Sequence, residues 1–127
     1  MPNTSESEKR AQALLGSIER ALLDKQGYEI LELDVRGICS YTDFFIVCHA
    51  ESDTQVKALA NSCIVTTGEE LDEKPWKKEG LNVRRWVTLD YVNVVVHIFN
   101  RETREYYNLE KMWSDAKIKE VTDELFA

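Results

Sequence analysis

Residues 86–113, WVTLDYVNVVVHIFNRETREYYNLEKMW, constrain this chain more than any other part of it. Two apolar runs of strand length meet at an Asp90-Tyr91 junction, which leaves room only for a tight reversal into residues 92–99. An aromatic-rich stretch at helical spacing follows. Asn100 is placed to cap it, and Tyr106, Tyr107, Leu109, Met112 and Trp113 are brought near one another. A hairpin running straight into helical turns is part of a layered α/β domain, whose remaining elements the rest of the chain has to supply.

It supplies them in order. Residues 1–5 read as a disordered start, and Ser5 with Glu8 three positions on makes a capping box for a first helix. Ala11, Leu14, Leu15, Ile18 and Leu22 form one apolar stripe, and Gly27 provides a stop. In EILELDV, residues 29–35, Leu31, Leu33 and Val35 alternate with Glu32 and Asp34, the period of a half-exposed strand. FFIVC, residues 44–48, is unbroken, as expected of a strand buried on both faces. Ser52 caps a second helix with Gln55 at the reciprocal position, and Val56, Leu59, Ala60, Cys63, Ile64, Thr67 and Leu71 keep helical spacing behind it. A strand over residues 83–89 is then expected to return parallel to residues 44–48 after a right-handed crossover. The fold class is α/β, a mixed sheet with helices packed on it. Residues 6–113 make up the single domain expected of 127 residues. Residues 114–127, with Ile118, Val121 and Leu125 at helical spacing in a polar setting, read as a weak terminal helix or a tail that orders on binding.

Charge narrows the partners. A net charge of −7 argues against broad attachment to phosphate backbones, whose affinity comes from Lys and Arg. Between residues 74 and 86, however, Lys74, Lys77, Lys78, Arg84 and Arg85 face a single acid, Glu79, and are interleaved with Trp76 and Trp86. Two readings are open: a solvated loop, or a small basic patch that touches RNA or an acidic partner. No apolar run reaches membrane-spanning length, and MPNTSESEKR lacks the layout of a secretory signal, so a soluble, cytoplasmic protein is expected. Cys39, Cys48 and Cys63 follow no metal-ligand spacing and read as reduced, partly buried thiols.

Catalytic motifs are missing. The sequence holds no G-x-S-x-G, H-E-x-x-H, G-x-x-x-x-G-K-[ST] or G-x-G-x-x-G pattern. Of the two histidines, His97 alternates with valines in a strand expected to be central, which suits a structural imidazole, or else a role in partner contact or catalysis. His49 and Cys48, as strand neighbours, should point to opposite faces. One enzyme class fits the element order, a metal-dependent nucleotidyltransferase, but Gly37 and Ser40 are not adjacent, and Asp34, Asp43 and Asp90 form no D-x-D pair. No catalytic residue, metal ligand or cofactor site is assigned.

SYTDFFIVC before a capped S-x-x-Q helix, then W-V-x-L-D-Y, V-V-V-H-I-F and R-E-Y-Y-N-L-E-K-M-W, resemble in combination the ribosomal silencing factor, or Iojap-like, family. The resemblance implies a nucleotidyltransferase-like fold without catalytic carboxylates. It implies docking on large-subunit ribosomal protein fourteen, steric exclusion of the small subunit, and repressed translation under nutrient limitation. A part in large-subunit maturation and a homodimer off the ribosome are also implied. The signature positions are Asp43, Trp86, Asp90, His97, Arg104, Tyr107, Leu109, Glu110 and Trp113. Partner contact is expected from Trp86, Leu89, Asp90, Tyr91 and His97, with Lys77, Lys78, Arg84 and Arg85 as a second contact to RNA or protein. The family usually carries Gly-Asp where this chain has Val92-Asn93, which removes a residue suited to positive φ from the turn.

Overall fold

The computed structural model describes residues 4–126. In chain order the elements are helix α1 (Thr4–Asp24), strands β1 (Tyr28–Asp34) and β2 (Phe44–Ala50), helix α2 (Asp53–Leu71), and strands β3 (Lys77–Glu79), β4 (Trp86–Asp90) and β5 (Val94–Asn100). Short helices α3 (Arg101–Tyr107) and α4 (Leu109–Met112), strand β6 (Lys117–Glu120) and a 3-10 turn (Asp123–Phe126) complete the chain. The strands form one mixed sheet in the order β3-β4-β5-β2-β1-β6.

The two strands without a polar face take the centre. Every residue of β2 is buried, as is every residue of β5 except Asn100, and the two run parallel with Phe44 opposite Val94 and His49 opposite Phe99. This corrects the expected parallel partner of β2. WVTLD alternates, with Val87 and Leu89 buried and Trp86, Thr88 and Asp90 half-buried, so β4 lies one place outward and pairs antiparallel with β5. An unbroken apolar strand gains from cover on both faces, and an alternating one tolerates a position nearer solvent.

α1 and α2 pack together over one face of the sheet, where Leu14, Ile18, Leu22, Leu59 and Cys63 meet Ile46, Cys48, Leu89 and Val96. The opposite face carries a smaller cluster in which Leu33, Phe45, Val47, Val95 and Phe99 meet Leu109 and, at its margin, Trp86 and Trp113. The helix caps are local and form as expected. Ser52 Oγ accepts from the Gln55 amide at 3.1 Å, the Gln55 side chain accepts from the Glu51 amide at 3.3 Å, and Asn100 Oδ1 accepts from the Thr103 amide at 2.9 Å. At the other end of the chain α1 already includes Ser5 in its backbone, while the expected Ser5 cap falls, with residues 1–3, outside the described residues.

Two further expectations are corrected. Residues 117–120 form an edge strand antiparallel to β1, with Ile118 opposite Leu33, and Val121 is buried under α1. The tail is part of the sheet, because β1 would otherwise expose a row of unpaired amides and carbonyls. The β4–β5 reversal is centred on Val92 instead of on Asp90 and Tyr91. The Asn93 amide donates to the Tyr91 carbonyl at 3.0 Å across Val92, whose φ is 78°. That is a positive-φ γ-turn, a rare and strained conformation, and here it is held by a β-branched residue.

Candidate functional site

The alternation of β4 builds the site. Trp86 lies opposite Phe99, Thr88 opposite His97, and Asp90 opposite Val95, all on the face away from α1 and α2. The Trp86 indole stacks on Phe99 with ring centres 4.9 Å apart and leans on Tyr107 at 4.7 Å. Its N–H donates to His97 Nδ1 at 3.0 Å. Because an indole nitrogen can only donate, Nδ1 must be an acceptor, and the imidazole is neutral with its proton on Nε2. Burial favours the same form, pushing the His97 pKa down to about 4. Behind it the Phe45 ring meets His97 edge to face at 5.1 Å and tilts against Trp113 at 5.4 Å and Tyr41 at 6.1 Å.

The result is an aromatic floor with an open margin. His97 is 8% exposed and lies beneath the surface, while Trp86 and Thr88 are half-exposed and Tyr41 stands 65% in water. The polar atom of Trp86 is consumed by His97, so the indole offers an apolar ring to anything that covers it.

Two expected contact residues are elsewhere. Leu89 is fully buried, and Tyr91 is 2% exposed with its hydroxyl 3.0 Å from Thr67 Oγ1, so both side chains belong to the core beneath α2. Neither presents surface to a partner. The period of two in WVTLDY separates Trp86, Thr88 and Asp90 from Val87, Leu89 and Tyr91, and applying it strictly would have found Thr88 and excluded Leu89 and Tyr91. The Asp90 carboxylate is half-buried and turned inward on its own loop, where it accepts from the Val92 amide at 2.7 Å. Lys77, Lys78 and Arg85 are exposed and Arg84 is half-buried; all four lie on the β3–β4 ribbon at the edge of the sheet.

A second polar constellation fastens α3 and α4 to the sheet. Arg104, 5% exposed, donates to the Tyr28 carbonyl at 3.2 Å and lies 2.9 Å from His49 Nδ1, with the Glu110 carboxylate 3.5 Å from its Nε. Tyr28 stacks on His49 with ring centres 5.5 Å apart. Burial lowers the His49 pKa, and the adjacent Arg104 charge lowers it further. This group sits at the carboxyl ends of β2 and β5, while Cys48 points into the core on the other face, as the strand period requires.

The acids considered for metal chemistry are engaged locally. Asp34 accepts from Arg36 at 2.9 and 2.7 Å, Asp43 Oδ2 accepts from the Asn93 side-chain Nδ2 at 3.5 Å, and Asp90 closes its turn. Among the described residues no three His, Cys, Asp or Glu side chains converge as metal ligands would. Cys39, Cys48 and Cys63 are free thiols, and burial pushes Cys48 up to about 12. No helix among the described residues is long and apolar enough to cross a membrane.

The family model described as "Ribosomal silencing factor during starvation" matches residues 8–126. A ribosomal silencing factor of Bacillus subtilis is 43% identical over 98 residues, covering 77% of this chain and 82% of its own length. One from Halalkalibacterium halodurans is 38% identical over 110 residues, covering 87% and 93%. The crystal structure of a protein from Chromobacterium violaceum is similar with a TM-score of 0.78 at 36% identity, covering 81% of this chain and 85% of that one.

Proposed function

This chain belongs to the ribosomal silencing factor family, and from that premise we propose that it binds the large ribosomal subunit in the cytoplasm and silences it by keeping the small subunit away. Docking is on large-subunit ribosomal protein fourteen, through the open margin of the aromatic floor. Trp86 is the central contact, Thr88 lies beside it, and Tyr107 and Tyr41 are at the rim. The observation that carries this reading is the state of Trp86. It is a half-exposed tryptophan backed by Phe99 and Tyr107, with its only polar atom bonded to His97. A rigid, pre-oriented aromatic ring of this kind is what interface hot spots are made of.

Electrostatics agrees with it. A protein of net charge −7 is suited to a basic ribosomal protein, since opposite surface potentials speed encounter and exclude wrong partners. His97 acts through Trp86 and does not touch the partner. Titration calorimetry of the full chain with isolated protein fourteen tests the site. Trp86→Ala should weaken binding by about 2 kcal/mol or more. Thr88→Glu, on the same face but outside the core, should also weaken it while leaving the melting temperature unchanged. Unaltered affinity in a folded Thr88→Glu protein would move the docking surface elsewhere.

A further inference from the structure

The β3–β4 ribbon carries a feature that docking through Trp86 does not use. Trp76 is 68% exposed, yet its backbone is fixed, because its amide donates to the Asp90 carbonyl at 2.9 Å. It therefore stands at the head of an edge strand, β3, whose outer side pairs with no strand among the described residues. Strand alternation puts Trp76 and Lys78 on one side and Lys77 and Glu79 on the other. The second pair neutralise each other in an ion pair of 3.1 Å. Lys74, Lys78, Arg84 and Arg85 hold no ion pair among the described residues.

Gly80 turns the ribbon at φ 84°. A Cβ there would lie 2.0 Å from the Trp86 carbonyl oxygen, so only glycine permits the turn. The Arg84 amide closes the loop on the Gly80 carbonyl at 2.8 Å, and Arg84 Nε reaches the Leu81 carbonyl at 3.3 Å. The loop thus holds two arginines at one end of a rigid ribbon, with a tryptophan at the other and a lysine between.

We propose that this ribbon is a binding surface for single-stranded RNA, in which a base stacks on Trp76 and Lys74, Lys78, Arg84 and Arg85 take the phosphates. Lysines alone would explain an edge protected from self-association. They do not explain an indole left two-thirds in water beside them. A fixed, exposed aromatic face next to unpaired cations is the two-part chemistry that single strands require, stacking for the base and charge for the backbone. An acidic peptide would need only the cations. The choice of RNA over DNA rests on the ribosomal reading above, and the surface is separate from the Trp86 margin.

The test titrates the full chain with a short oligouridine at low salt, following tryptophan fluorescence, with a poly-glutamate peptide as the competing ligand. Saturable quenching is expected, with affinity falling as salt rises at a logarithmic slope of up to about −3 for four contacts. Trp76→Ala should lose about fivefold or more in affinity at an unchanged melting temperature, and Trp76→Phe should recover most of it. Lys78→Glu with Arg85→Glu should flatten the salt slope. Absent quenching, an unaltered Trp76→Ala protein, or binding of poly-glutamate in place of RNA would each overturn the proposal. None of these outcomes depends on protein fourteen. A Trp86→Ala protein that binds oligouridine normally but fails on the subunit would keep the two surfaces distinct.

Discussion

Replacing Val92 by glycine should stabilise this protein. The residue sits at φ 78° at the centre of the β4–β5 turn. An L-residue in positive-φ space carries about 1–2 kcal/mol, and strained sites range up to about 3. A β-branched side chain belongs at the upper end, so about 2–3 kcal/mol is stored here. Glycine removes that strain. Against it, the unfolded chain gains freedom worth about 0.5–1 kcal/mol. The contacts of a side chain that is 54% exposed are also lost, at about 0.5–1 kcal/mol. The balance favours Val92→Gly by about 1 kcal/mol, which for a domain of this size is a rise in Tm of about 4 °C. Val92→Ala is the control, since it gives up the contacts while keeping a Cβ at positive φ. Urea unfolding followed by tryptophan fluorescence gives the ranking, with glycine above valine and alanine at or below valine. A Val92→Gly protein less stable than the parent, or an alanine variant stabilised as much as glycine, would show that the turn holds no strain.

Further consequences concern buried polar groups. Burial, with a hydrogen bond to Glu32 and that neighbour's charge, raises the Glu19 pKa from 4.5 to about 9. The folded chain therefore keeps a proton that the unfolded chain releases, and stability should fall as pH rises from about 4.5 to about 9 and level off above that. Glu19→Gln should flatten that slope in urea unfolding measured from acid to alkaline pH. Arg104→Ala should cost about 3 kcal/mol by removing a buried cation from the Tyr28 carbonyl and the half-buried Glu110 carboxylate, and Arg104→Lys should restore little, lacking the forked geometry. Tyr91→Phe should cost about 1 kcal/mol through the lost Thr67 bond while leaving subunit affinity unchanged, since Tyr91 lies on the buried face.

What could be read from the sequence was local. Ser52 and Asn100 announce their caps because the bonds close within three residues, and the uninterrupted runs in β2 and β5 require cover on both faces wherever they lie. The replacement of glycine by Val92 pointed to a turn where φ is costly. Pairing is not local, and there the reading fell short. Nothing in WVTLD states that it sits outside β5 and not beside β2, although its alternation agrees with the outer place. Strand β6, KIKE, is exposed at all four positions and has no buried side to give it a period. It exists because β1 offers it an edge. The site was half legible for the same reason. Trp86 and His97 were named from their neighbourhood, but that one bonds the other across two strands is a matter of register. The burial of Leu89 and Tyr91 was readable from alternation, but both border the hairpin turn and were chosen for that.

The most direct measurement is sucrose-gradient sedimentation of purified large and small ribosomal subunits, at a magnesium concentration that permits joining, with and without this protein. It should travel with the large subunit and deplete the joined particle, and the Trp86→Ala protein should do neither. Full joining of large subunits that carry the protein would contradict the exclusion mechanism, and absence of the protein from both subunit peaks would contradict the ribosomal reading as a whole.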